Sequence, residues 1–392
     1  MTTCFDSLRP AFLAGYLGLV LATAGCTDPA SKTVTPEFYS AADFAGVRKF
    51  DAHVHANTSS AVFLEQARAD NFELLSINVD YPDFPSLAAQ EEAALNQAAV
   101  DPERFHFATT FSTADWGGKA DWAATVNAKL DQAAARGAVA VKVWKNIGMS
   151  LRDTNGKLVM IDDPGFDPVF AHVRAMGLPL IGHLGEPRNC WLPLTEMTTN
   201  NDRSYFREHP QYHMFLQPQM PSYEAQIAAR DRRLERTPDL RFVGAHLASL
   251  EWSVDRLAAF LDNHPDAVVD MAARMTNLQY QSHLGRDQVR DFFIRYQDRI
   301  LYGSDLTFDP DSDPAEFRQE AHTTWLSAWT YMATREISHV ADIDADVMGL
   351  QLPRAAMDKI FWSNARRTFF SPRAAWPAGA AKPSDDDKLA GE

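Results

Sequence analysis

The sequence predicts an α/β chain folded as a single (β/α)8 TIM barrel with a long loop after strand five. Three observations carry this reading. Short β-rich runs alternate with longer amphipathic ones, eight such runs can be counted along the 392 residues, and no glycine-rich phosphate loop follows the first of them. Strand–helix alternation of that length points to a closed parallel barrel, whereas an open doubly wound sheet would need the phosphate loop. The runs are 47–55, 72–78, 105–111, 138–145, 178–184, 240–247, 267–271 and 299–305. Helical stretches at 61–70, 121–136, 167–176, 223–236, 253–263, 286–296 and 357–369 separate most of them.

The first 25 residues stand apart from this pattern. A short start carrying Arg9 leads into A-F-L-A-G-Y-L-G-L-V-L-A-T-A-G-C, an apolar run too short to span a bilayer comfortably, which reads as a signal peptide. Ala24-Gly25-Cys26 reads as a lipoprotein cleavage site, although Thr23 stands where leucine is usual; ordinary cleavage near Ala24 is the alternative. The expectation is an exported bacterial cell-envelope protein that touches the membrane only through a lipid on Cys26. With Cys4 removed and Cys26 modified, Cys190 would stand alone, so no disulfide framework is expected. Residues 26–44 read as a tether, 45–370 as the barrel and 371–392 as a disordered tail. A net charge of −15 speaks against an electrostatic grip on nucleic acid or an anionic membrane and leaves small-molecule substrates. Homo-oligomerisation is left open.

Strand one contains K-F-D-A-H-V-H, residues 49–55. Residues two apart on a strand point the same way, so His53 and His55 present their imidazoles side by side, as a metal clamp or as an ordinary pair. Asp51 would share that side one step deeper and orient a ligand. Lys49 and Phe50 read as the start of the strand.

In a barrel the active site forms where strands end at the C-terminal rim, so a true clamp needs partners at other strand ends. Strand four, A-V-A-V-K-V-W-K, alternates Val139, Val141 and Val143 outward with Lys142 inward. An inward lysine can pair with a carboxylate or, carbamylated, bridge two metals. Trp144 and Lys145 follow at the rim, where Lys145 could bind a substrate anion. Strand five ends on His183, strand six on His246 and strand eight on Asp305. Between strands five and six, residues 187–222 carry Trp191, Tyr205, Phe206, Tyr212 and Phe215, too aromatic for disorder and read as a lid or pocket wall.

With its D-A-H-V-H, I-G-H, G-A-H, Y-G-S-D and I-F-W-S-N-A-R-R motifs, the chain resembles the amidohydrolase superfamily over about residues 45–370. The resemblance is to the amidohydrolase-related branch that includes aminocarboxymuconate-semialdehyde decarboxylase-like enzymes. It implies that His53 and His55 bind a divalent metal, with His183 and Asp305 completing a mononuclear site. In binuclear members a carbamylated strand-four lysine bridges two ions and both later histidines are ligands, which would add Lys142 and His246. In mononuclear decarboxylase-like members the strand-six histidine is catalytic, so His246 is either ligand or catalyst.

Imidazole and carboxylate donors suit zinc, one ion or two, and such an ion lowers the pKa of bound water to about 7. Asp305 would take that water's proton and return it to the leaving group, giving hydrolysis of a C–N, ester or lactone bond. Glu186 and Arg188 after His183, and Arg274 after strand seven, are candidate substrate contacts, as are Trp144 and Lys145; Arg188 and Arg274 could clamp a carboxylate. Trp191 and Trp252 are further candidates for an apolar wall. A metal-dependent non-oxidative decarboxylase is the alternative within catalysis. The alternative of another class is a non-catalytic envelope binding lipoprotein on a retired barrel, although no ligand position has decayed.

Overall fold

The computed structural model describes residues 37–372. The expected signal peptide, Cys26 with its expected lipid, most of the expected tether and the expected tail from residue 373 onward lie outside the described residues. Among the described residues, no helix is long and apolar enough to cross a membrane.

Each expected β-rich run carries a strand. They are β1 (Lys49–Ala56), β2 (Phe72–Ile77), β3 (Phe105–Thr110), β4 (Ala140–Val143), β5 (Leu180–Gly182), β6 (Phe242–Gly244), β7 (Ala267–Asp270) and β8 (Ile300–Leu301). Consecutive strands pair in parallel from β1 to β8. A further short strand, β9 (Thr307–Phe308), pairs in parallel with β1. β8 and β9 are therefore two halves of one interrupted strand, one bonded to β7 and the other to β1, and together they close the barrel. Across the interruption Ala52 N–H donates to the Tyr302 carbonyl (2.9 Å) and Asp305 N–H to the His53 carbonyl (2.9 Å).

Strand alternation sorts the apolar side chains into two layers. Ala108, Ala140, Ile181, Val243, Val268 and Leu301 fill the barrel interior. Val141, Val143, Leu180, Phe242 and Val269 pack outward beneath helices that contribute Phe170, Leu257 and Phe293. Phe369, from the last helix (Asn364–Phe370), stacks on Phe50 at 6.4 Å and closes the end opposite the strand C-termini.

The phase of β1 does not run unbroken. A bulge between Asp51 and Val54 shifts its register, so Phe50 and Ala52 face the interior while Val54 and Ala56 face outward. A bulge adds one residue to the count and exchanges the faces beyond it. Asp51 consequently does not share the side of His53 and His55, as strict alternation suggested. It accepts hydrogen bonds from Trp325 Nε1 (2.8 Å) and from the backbone of Ser304 (3.0 Å), bracing the interrupted strand. Lys49 is more than a strand start. It is fully buried, donates to the Phe44 and Val47 carbonyls and lies 4.4 Å from the Phe44 ring centroid.

Other differences from the sequence reading lie around the barrel. Residues 37–44 are docked: Phe38 bridges Pro353, and Phe44 is buried. Helices Leu87–Val100 and Pro314–Ala333 and the hairpin β10 (Ile337–Val340) and β11 (Ala345–Met348) were not anticipated. The last expected helix is interrupted by a π turn at Lys359–Ser363, whose Ile360 carbonyl accepts the Tyr302 N–H (3.0 Å). The long loop after β5 is ordered around its own buried cluster of Cys190, Met197, Phe206 and Met214, and it carries a helix at Asn200–Glu208.

Candidate active site at the strand C-termini

The strand ends bring His53, His55, Lys142, His183, His246 and Asp305 to one chamber of about 200 Å³. His53 and His55 leave β1 on the chamber side beyond its bulge. Lys142 follows the inward phase set by Ala140, as its alternation predicts. Asp305 occupies the interruption between β8 and β9 at φ 71°, a backbone state that a regular strand would not allow.

One donor atom from each of His53, His55 and Asp305 lies within 4.8 Å of the others, a spacing that a single divalent ion can bridge. Asp305 Oδ1 is 3.4 Å from both His53 Nε2 and His55 Nε2. Lys142 Nζ lies 3.3 Å from the same His53 nitrogen. The His183 and His246 rings sit 4.1 Å apart, and His246 is 4.8 Å from the His53 ring. Two buried atoms of this chamber, His183 Nε2 and Asp305 Oδ1, have no hydrogen-bond partner. Orphaned buried polar atoms are costly, and a cation held by His53, His55 and Asp305 would satisfy Asp305 Oδ1, so that donor set fits a metal; His183 stands outside this three-donor cluster.

The opposite ring nitrogens are tied down. His53 Nδ1 meets Asp270 Oδ2 at 2.9 Å, while His55 and His246 donate from Nδ1 to the Ile77 (2.8 Å) and Ala272 (2.9 Å) carbonyls. Such partners fix the tautomer and turn Nε2 of His53 and His55 toward Asp305. Burial pushes His53 down, and it pushes His183 and His246 well below the ordinary imidazole range, which favours neutral rings with free lone pairs. Burial also lowers Lys142 to about 8. Burial alone would raise Asp305, yet the imidazoles of His246, His55 and His53 hold its carboxyl well below the usual range.

Asp270 is the residue that sequence reading missed. It ends β7 as the other chemistry-bearing residues end their strands, and A-V-V-D-M carried that signal. Besides His53, it accepts the backbone N–H of His246 (2.9 Å) and Ala272 (3.1 Å).

His246 is placed by a strained turn. Four consecutive non-glycine residues, His246 to Ser249, take φ between 54° and 57°. Left-handed backbone costs roughly 1–2 kcal/mol per such residue, so surrounding bonds must hold it. Arg230, itself buried, donates to the Ala248 carbonyl, Tyr223 to that of Ser249, and Ser249 Oγ to that of Leu184 (3.1 Å). Gly244 is required beside it, because a Cβ there would stand 2.6 Å from Ala248 Cβ.

The candidate substrate residues divide. Trp144 and Lys145 line the chamber. Glu186 does not; it pairs with Lys145 and lines a second space further out. Arg188 is a correction: its guanidinium lies 4.2 Å over the Trp252 ring and its backbone N–H binds Glu251 Oε1 (2.8 Å), away from the chamber. Arg274 does not line the chamber wall and donates to the Ala273 carbonyl (3.0 Å), yet its charge is felt at both His183 and His246, so it stands near the site, whereas Arg188 is stacked on Trp252. Trp191 and Trp252 are spent on Pro221 and Tyr223. A cleft of about 450 Å³ at the other end of β6 and β7 lies far from these groups, so its larger volume does not compete as the site.

The chain matches the amidohydrolase family over residues 21–370, and it belongs to that family. Members typically depend on divalent metals, and the His53, His55 and Asp305 cluster could hold one; membership points to a metal-dependent hydrolase or a related enzyme. Among solved structures, the chain is similar to an amidohydrolase II at 18% identity and TM-score 0.46, covering 82% of this chain and 99% of that one. It is similar to 4-oxalomesaconate hydratase from Rhodopseudomonas palustris (13%, TM-score 0.44, 84% and 97%). It is also similar to D-hydantoinase from Thermus sp. (11%, TM-score 0.42, 86% and 73%). No curated protein matches the chain significantly.

Proposed function

We propose that this protein is a metal-dependent hydrolase of small molecules that cleaves a C–N, ester or lactone bond. A divalent ion, zinc by donor type, would be held by His53, His55 and Asp305, with His183, His246 and Lys142 beside them. The carrying observation is the convergence of these strand-end donors around two buried atoms without partners, His183 Nε2 and Asp305 Oδ1. An ion bound there supplies Lewis acidity, activating water and polarising the scissile bond.

The protein's own groups do the rest. Asp305, kept ionised and with 29% of its side chain exposed to the chamber, accepts the water's proton and delivers it to the leaving group. His246, locked by its turn and by Asp270, completes the ligand set or steadies the reacting carbonyl. Lys145 and Trp144 hold the substrate at the mouth, and Glu186 acts there by pairing with Lys145. Lys142 as a carbamate would add an anionic ligand for a second ion; as an amine it leaves one.

Decarboxylation is the second reading: Arg188 is stacked on Trp252, which leaves Arg274, whose charge reaches His183 and His246, as the remaining arginine candidate to grip a scissile carboxylate. The proposal includes export with a lipid on Cys26; Cys26→Ser should then release the protein from the membrane fraction, and undisturbed membrane association would contradict it. Asp305→Asn tests the chemistry across a screen of amides, esters and lactones. It should keep the fold and lose at least a hundredfold in turnover, whereas undiminished turnover would remove Asp305 from its role.

A further inference from the structure

We infer that the loop after β5 builds a second chamber that selects substrates carrying an uncharged aromatic substituent. This rests on the hydrolase reading only for where the reacting bond lies. The inner chamber, about 200 Å³, is smaller than the roughly 300–1,000 Å³ of ordinary small-molecule sites. A second space of about 440 Å³ adjoins it and shares Tyr81, Trp144 and Lys145 as lining, so one ligand can occupy both.

The character of the outer walls names the occupant. Tyr205, Tyr212 and Met214 come from the loop and Met149 from the segment after β4, giving ring faces and thioethers, with the uncharged side chains of Asn146, Gln211 and Gln217 beside them. At the throat, Lys145 is paired with Glu186, so these opposite charges offset one another. Arg152 and Asp83 also line this space but are exposed at its rim. An aromatic track connects the chambers: His55 to Phe84 at 5.1 Å, Phe84 to Tyr81 at 5.2 Å and Tyr81 to Trp144 at 5.0 Å. The loop buries Phe206 and Met214 yet leaves Tyr205 and Tyr212 at 40% and 48% exposure. Tyr205 and Tyr212 lie nearly parallel to each other (6.3 Å, 9°), with His209 4.7 Å from Tyr205, so a ligand ring entering this cavity meets a pre-arranged aromatic wall.

The test is calorimetric binding to zinc-loaded full-length protein, comparing 2-naphthylacetamide with acetamide. The naphthyl amide should saturate and bind at least tenfold more tightly. The Tyr205→Ala/Tyr212→Ala double variant should lose at least tenfold in that affinity, while Tyr212→Phe, which keeps the ring, stays within twofold. Both tyrosines are exposed, so the buried loop cluster should survive; Tyr212→Ala alone, expected to lose at least threefold, gives the same reading if the double variant does not fold. Equal affinity for the two amides, or undiminished naphthyl binding in the alanine variants, overturns the inference. If the expected binding pattern appears in a protein that hydrolyses nothing in the screen, the hydrolase reading falls and the aromatic chamber stands. Hydrolysis of small esters with no naphthyl preference refutes the chamber alone.

Discussion

Asp270 Oδ2 lies 2.9 Å from His53 Nδ1, and both side chains are buried. The other Asp270 oxygen accepts the backbone N–H of His246, so one carboxylate steadies two strand ends. Asp270→Asn keeps the shape and removes the charge. Metal affinity should fall about 10–100-fold, the usual cost of losing a ligand-orienting partner, when measured by competition with a chelator. Unchanged affinity would show that His53 needs no such support.

Gly244→Ala places a methyl 2.6 Å from Ala248 Cβ, against the strained turn that carries His246. Overpacking of this kind costs about 1–3 kcal/mol. Thermal unfolding should show the loss, and activity should fall further than stability because His246 moves. A variant as stable and active as the wild type would mean that the turn yields easily.

Lys49 gives a pH dependence with a definite sign. Burial holds its ammonium at about 7, below the ordinary value of 10.5. Between those values the unfolded chain binds more protons than the folded one, so this residue's cost is full below pH 7 and fades as pH rises toward 10.5. Stability measured by denaturant titration should therefore gain from rising pH across that window, and Lys49→Met should remove that gain. An identical slope in the variant would assign it elsewhere.

Arg188 and Lys145 make a contrasting pair. Arg188 stacks on Trp252 outside the chamber, so Arg188→Ala should cost about 1 kcal/mol of stability and leave KM nearly unchanged. Lys145→Ala, at the mouth, removes a wall of both chambers and leaves Glu186 without its partner, and should raise KM about tenfold or more. The reverse pattern would restore Arg188 as the anion contact.

Much of this architecture could be read from residues alone because strand alternation and strand-end chemistry are local signals. Lys142 stands where period-two patterning puts it, and His53, His183, His246 and Asp305 gather at the barrel rim as strand-end residues should. What escaped depended on non-local geometry. The β1 bulge between Asp51 and Val54 left Asp51 on the outer side and turned His53 and His55 to the chamber, and no composition rule marks it. The left-handed run at His246 to Ser249 is held by Arg230 and Tyr223 from the helix that precedes β6, and its own residue types would not select it. Arg188 looked like a substrate clamp from its position after His183, but the fold brought Trp252 under it first.

The central claim is that His53, His55 and Asp305 form the core of a divalent-metal site. Its most direct test is elemental analysis of the full-length protein after zinc loading and gel filtration, beside the His53→Ala/His55→Ala double variant, with folding of both checked by circular dichroism. The wild type should carry about one or two equivalents of zinc, and a folded double variant less than about a tenth of that. A wild type that retains no divalent ion, or a double variant that retains the full complement, would contradict it.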